Sequence, residues 1–401
     1  MVAFVRKDEE NPIERIICGP LSYTLTESSW LSPSAAKYAL ERLWAIVSGT
    51  AGYSGDPIIS FSACDAKDPH DLLHLEHGRL PHFSLAEILP RSASAPIDSK
   101  VPPALFHVGS EDTTPVLQSK DDTNSIRFNV DLVATTFFML SRWEETVIAE
   151  RDRHGRFPAH ASLAYKHGFL DHPIIDEWAL IIRQWLKRLK PGWEAHLPKF
   201  RVQLSHDIDH PLAYTYPANL IRTLGHNLIT ERRPLNGIKE FMSHFSATWD
   251  WHRDPYYLNL LHLMDLSEHH GLTSVFYAMT ERASRMDFYH NNPGINPYRL
   301  MIKEIVDRGH EVGIHPSYNT FLNPQMLYQE KARLDRTLQS DSKRSRQHYL
   351  RFQSPETWQH LEEAGLTYDS TLSFADHAGF RCGTCHPFPT YDIRADRAMK
   401  L

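Results

Sequence analysis

Cysteine is scarce in this chain: Cys18, Cys64, Cys382 and Cys385 are the only four among 401 residues. That is too few for a disulfide framework, so the fold must rest on its apolar core, and the scarcity suits a cytoplasmic setting. Long apolar runs are missing too. No stretch approaches the ~18 consecutive apolar residues of a membrane span. The opening MVAFVRKDEENP turns charged too early to form the apolar segment of a secretory signal. There is no excess of basic charge: Lys and Arg number 43 against 49 Asp and Glu, a formal net charge of -6. This argues against nucleic acid or an anionic membrane as partner. The remaining composition, 41% hydrophobic and 23% charged, is that of a folded globular chain and excludes wholesale disorder. Histidine stands out, with 25 residues.

At ~150 residues per domain the length predicts two domains. The boundary is expected at Lys190-Pro191-Gly192 through Pro198, where a strongly periodic segment gives way to a short alternating one. This gives an α/β domain at residues 1–197 and a second at 198–401. In the first, residues 33–47 and 130–143 read as amphipathic helices and 57–61 as a strand. Residues 173–189 carry Ile174, Ile175, Trp178, Ile181, Ile182, Trp185 and Leu189 at helical spacing, whereas 77–126, rich in Pro, Ser and Asp, predict long loops. In the second, Phe200, Val202 and Leu204 alternate as on a strand. Helices are expected near 257–270, 296–306, 324–338 and 355–365, with strands near 273–279, 311–315 and 347–352 between them. Strands separated by helices predict a mostly parallel sheet, open or closed into a barrel, with chemistry at the carboxyl ends of its strands.

Three segments gather the reactive side chains. Ser205-His206-Asp207-Ile208-Asp209-His210-Pro211 follows the first strand of the second domain. Strand geometry turns Asp207 and Asp209 to one side, where two carboxylates repel unless a cation or shared proton intervenes. An isolated Asp-x-Asp commonly caps a turn, but His206 and His210 add further ligand or acid groups within the same seven residues. The second segment, Gly309-His310-Glu311-Val312-Gly313-Ile314-His315-Pro316-Ser317-Tyr318-Asn319, brings His315 to a strand end, with Asn319 four residues on and within reach if Pro316 opens a helical turn. The third, Gln347 to Pro355, offers His348 on one strand face and Arg351 on the other. Arg351 can orient a catalytic carboxylate or serve as a structural ion pair. Asp369-Ser370-Thr371 ends a further strand and can supply supporting hydrogen bonds. Cys382-Gly383-Thr384-Cys385-His386 lacks a complete zinc ligand set and reads as reduced thiols.

Asp207-Ile208-Asp209 followed by Gly309-His310-Glu311-Val312-Gly313-Ile314-His315 resembles the polysaccharide deacetylases of the NodB-homology type. Arg351-Phe352-Gln353-Ser354-Pro355 and Tyr368-Asp369-Ser370-Thr371 are similar to that family's later strand-end motifs, so the likeness covers roughly residues 198–401. The resemblance implies a distorted (β/α) barrel with a divalent metal, commonly zinc, that removes N-acetyl groups from an amino-sugar-containing saccharide or polysaccharide precursor. It implies Asp207 as base and Asp209 and His315 as metal ligands. Asn319 stands where the family has a second histidine, and His206, His210 or His348 can supply the missing imidazole. His206, His348 and Arg351 join Asp207 as candidate catalytic groups. The family's late catalytic histidine has no clear counterpart beyond His377 and His386. Three alternatives therefore stay open: another histidine serves, the protein is an inactive carbohydrate-binding or assembly protein, or the barrel is incomplete at its C-terminal end. A hydrolase of another amide or ester also remains open, because such chemistry identifies a carbonyl more readily than its carrier.

Overall fold

A computed structural model describes residues 4–7, 14–26, 29–63, 103, 105–106, 116–120, 123–213, 221, 225, 234–287 and 296–401. The mixed α/β chain forms two compact units. The first comprises residues 1–200, 353–359 and 372–400, and the second comprises 201–352, 360–371 and 401. The segment 372–400 thus returns to the first unit.

The first unit holds a six-stranded mixed sheet. Its strands are β1 (Phe4–Lys7), β2 (Glu14–Cys18), β3 (Leu21–Thr24), β4 (Ile59–Ser62), β5 (Val116–Lys120) and β6 (Thr123–Arg127), in the order β1-β2-β3-β4-β6-β5. β5 and β6 form an antiparallel hairpin at the end of the stretch expected to be loop. The rest of that stretch lies almost wholly outside the described residues, as does Cys64. Helix Pro33–Ser48 starts where Ser32 accepts from the Ala35 N–H and Pro33 occupies the first turn. Helix Ile174–Leu189 buries the Ile and Trp residues of its periodic face. Helix Leu132–Ser141 is not amphipathic in place, because every one of its residues is buried. Its Thr135, Thr136 and Ser141 hydroxyls donate back to the carbonyls of Asp131, Leu132 and Phe137, which removes the cost of burying them.

Just beyond that helix lies a buried charge cluster. Arg142 donates to Glu144 at 2.6 Å and Glu145 at 2.8 Å, and Arg381 grips both oxygens of Glu145 at 2.8 and 2.7 Å. Burial alone would raise the Glu145 carboxyl, but Arg381 and Arg142 outweigh it and hold it down at about 2.

The second unit is a five-stranded parallel sheet of β7 (Leu204–Ile208), β8 (Ser274–Ala278), β9 (Glu311–Ile314), β10 (Arg344–Ser345) and β11 (Tyr368–Asp369). Spatial order follows chain order, and each neighbouring pair is parallel. Helices Pro255–His269, Asn296–Asp307 and Pro324–Leu338 connect successive strands. Asp254 and Asn323 cap the first and last of these with a proline in the first turn. β7 begins only at Leu204; Phe200 is 91% exposed, so the apolar alternation seen from 200 onward does not mark a buried face.

The expected strand over 347–352 is absent. The paired residues come earlier, at β10, and His348–Leu350 is a 3-10 turn in which Tyr349 and Leu350 take positive φ values of 59° and 53°. A left-handed backbone breaks strand parity, so alternation there does not assign faces. Among the described residues no helix is long and apolar enough to cross a membrane.

Candidate metal centre

Three parallel strands each deliver one side chain just past their carboxyl ends. Asp209 follows β7, His315 follows β9, and His348 lies three residues beyond β10 on the 3-10 turn. His315 Nε2 lies 3.2 Å from Asp209 Oδ1, His348 Nδ1 lies 3.5 Å from the same oxygen, and the two ring nitrogens are 3.0 Å apart. With metal–ligand bonds of ~2.0–2.1 Å, tetrahedral angles separate ligand atoms by ~3.3 Å, so the triangle has the dimensions of one face of such a site.

The other nitrogen of each ring fixes which lone pair faces inward. His315 Nδ1 is 2.5 Å from the Arg346 carbonyl oxygen, and His348 Nε2 is 3.1 Å from that of Met286. A carbonyl only accepts, so those nitrogens carry the hydrogens and the inward nitrogens carry lone pairs. Two lone pairs and a carboxylate then converge, an arrangement that repels itself without a cation among them. Burial holds the His348 imidazole below its ordinary value, with His315 adding to the effect and Asp209 opposing it. Burial would raise the Asp209 carboxyl, but the adjoining His315, together with His348 and His210, holds it low. Imidazoles that turn a lone pair inward and an ionised carboxylate are the forms in which these side chains ligate metals.

Asp207, still on β7, is bound differently. Its Oδ1 accepts from Arg346 at 3.1 Å, and Arg346 also donates to Ser205 at 2.6 Å and Ser370 at 3.1 Å while lying over the Tyr277 ring. Tyr277 faces Gly313 across β8 and β9, and a Cβ at Gly313 would sit 2.7 Å from the tyrosine ring. A glycine is needed there for Tyr277 to support the arginine. Asp369 is half-buried on β11 and accepts from Ser345 at 2.9 Å and Thr371 at 2.7 Å, bracing the strand that precedes Arg346.

Beneath His315 is another buried carboxylate. Glu330 accepts the Ser317 N–H at 2.8 Å as well as that residue's hydroxyl. Burial pushes Glu330 up to about 7 against these hydrogen bonds, with Asp287 adding to the rise. Asp287 accepts from the backbone of Ala283, Ser284 and Tyr318, tying the segments around the site together.

The structure brings together Asp209, His315 and His348 from the residues singled out in the sequence, and turns Asn319, His206 and Arg351 to other partners. Asn319 is exposed and its amide nitrogen donates to the Ala283 carbonyl at 3.1 Å. His206 packs on Phe276 and meets Ser274 at 3.3 Å, on the opposite strand face from Asp207. Arg351 is held between the Tyr318 and Phe321 rings and donates to the Tyr318 carbonyl, so the arginine beside Asp207 is Arg346. Sequence reasoning passed over Arg346. The available signal was its spacing: Arg344, Arg346 and His348 recur every second residue once the strand is placed at β10. His377 and His386 both belong to the first unit.

The profile of a family of unknown function (DUF7033) matches residues 76–191. No curated protein and no solved structure matches the chain.

Proposed function

We propose that the chain is a metal-dependent hydrolase that removes N-acetyl groups from an amino-sugar-containing saccharide, with its second unit forming part of a distorted (β/α) barrel. The observation that carries this reading is the convergence of three electron-pair donors at parallel strand ends, with an arginine-held carboxylate on the same strand as one of them. Strand order that follows chain order is the order of a barrel wall.

Asp209, His315 and His348 would hold the cation, zinc by the preference of a nitrogen- and oxygen-donor set. When bound, such an ion polarises the amide carbonyl and makes water more acidic. Asp207 is the base in this scheme. Arg346 occupies one of its oxygens, orients the carboxylate and leaves the other to accept a proton from the attacking water. The water oxygen bonds to the acetyl carbon, the carbon–nitrogen bond breaks, and the proton taken by Asp207 passes to the departing amine. Acetate and the free amino sugar result, and the carboxylate is regenerated. In this scheme Asp207 serves as both base and acid.

The test combines metal analysis of the purified chain with acetate release from a panel of N-acetylated oligosaccharides and of simple esters. Asp207→Asn should keep its metal and lose turnover by at least ~10²-fold, the scale of general-base catalysis. Arg346→Gln should lower kcat more than it raises KM. Stoichiometric metal and saccharide binding without acetate release would replace the hydrolase with a carbohydrate-binding protein. Unimpaired turnover in Asp207→Asn would discard the mechanism.

A further inference from the structure

A second group of metal-binding side chains lies in the first unit. Ligand atoms of Asp176, Cys385 and His386 all fall within 4.8 Å of one another. Asp176 stands in the first turn of helix Ile174–Leu189, with its side chain largely buried. Its two oxygens accept from the Thr384 hydroxyl at 2.8 Å and the Cys385 N–H at 2.7 Å. The same Thr384 hydroxyl accepts the His386 N–H at 3.1 Å, and the Ile175 N–H reaches the Gly383 carbonyl at 2.9 Å. Gly383 turns the chain at φ 64°, with Met139 and Ile174 so close that a side chain would crowd them. The backbone is thereby pinned so that a thiol, an imidazole and a carboxylate sit beside one another.

We infer that Asp176, Cys385 and His386 form a second divalent-metal site, taking a zinc-class cation through sulfur, nitrogen and oxygen and fastening the 383–386 turn to the helix. The donor set is a mixed one that zinc accepts, and three protein ligands leave a fourth position for water. Each carboxylate oxygen keeps a lone pair beyond its present hydrogen bond. His386 Nε2 is 3.9 Å from Asp176 Oδ1, against the ~3.3 Å of a tetrahedral edge, so closure needs well under an ångström there. Cys385 is exposed and His386 half-buried, so both side chains have room to make that movement. Cys382, the other half of the Cys-x-x-Cys spacing, is buried in the hydrophobic core and takes no part.

Cobalt(II) distinguishes this site from the one at the strand ends, because only this one contains sulfur. In the full chain, titration with cobalt(II) should give two ions per chain and a near-ultraviolet thiolate-to-cobalt absorption. The absorption should survive in the Asp209→Ala/His315→Ala double variant, with stoichiometry reduced to one. It should disappear in Cys385→Ser, fall in His386→Ala and persist in Cys382→Ala. Zinc should slow alkylation of Cys385 at least tenfold in the double variant. No thiolate absorption in the double variant, or an absorption that Cys385→Ser leaves unchanged, would overturn the assignment and leave Asp176 as a hydrogen-bonding clasp alone.

Discussion

Replacing His348 separates the arrangement in the structure from the one the sequence suggests. The sequence leaves the third ligand open between Asn319 and an imidazole of His206, His210 or His348, whereas the structure puts the His348 nitrogen 3.0 Å from that of His315 and turns the Asn319 amide to the Ala283 carbonyl. Four-ligand zinc sites bind with ~10–16 kcal/mol, or ~3 kcal/mol per ligand on average. His348→Ala should therefore weaken zinc binding by about 10²-fold or more, whereas Asn319→Ala, exposed and bonded elsewhere, should stay within about threefold. The assay is competition against a chromophoric chelator in the Cys385→Ser background, so that one site is read. Because His348 is buried and bonded to Met286, the thermal midpoint of the metal-free variant serves as the control for folding. Zinc affinity within tenfold of the parent in His348→Ala, or an equal loss in Asn319→Ala, would refute the assignment of ligands.

Two further outcomes concern stability. Glu330 titrates near 7 in the fold against an ordinary 4.5, so its burial costs nothing below the lower value. As pH rises between the two, stability is lost by about 3 kcal/mol. Glu330→Gln mimics the protonated group, so the metal-free variant should match the parent near pH 4.5 and exceed it at pH 8 in urea unfolding; parallel pH profiles would contradict this. Glu145 has the opposite sign: held at about 2, it contributes stability that is present above its ordinary value and lost as pH falls toward 2. Glu145→Gln leaves Arg142 and Arg381 buried with too little countercharge and should cost ~3–5 kcal/mol at pH 7 while flattening the acid limb; a loss under ~1 kcal/mol would sink the argument.

What the sequence discloses depends on how much local pattern each element carries. Helices opening on Ser32-Pro33, Asp254-Pro255 and Asn323-Pro324 are readable because cap and proline act within one turn. Asp209 and His315 are legible as a pair, because each follows a strand with an apolar residue immediately before it. β10 is not legible. It is two polar residues long, and its place in the sheet comes from neighbours β9 and β11 rather than from any alternation of its own. A strand over 347–352 puts His348 and Arg351 on opposite faces, so that only one of them can face a site. The positive φ of Tyr349 and Leu350 gives them separate surroundings, which single-residue propensities do not foretell. The Asp176, Cys385 and His386 grouping is likewise hidden, since Asp176 stands 209 residues before Cys385 and the other cysteine of the Cys-x-x-Cys spacing, Cys382, is buried in the core.

The return of residues 372–400 to the first unit also sets an order of events during synthesis. Glu145 leaves the ribosome with its partner Arg142 close by in sequence, and the guanidinium that grips both its oxygens, that of Arg381, follows after the whole of residues 201–352. Every strand from β7 to β10, and each residue of the strand-end cluster, is made before that arginine emerges. The second unit can therefore gather its sheet while the first still holds a buried carboxylate short of its stronger partner. Domains usually settle from the N-terminus onward as a chain is translated. Here the half made first waits on a segment made late, and a chain cut after residue 371 would keep every residue of the strand-end cluster while lacking Arg381.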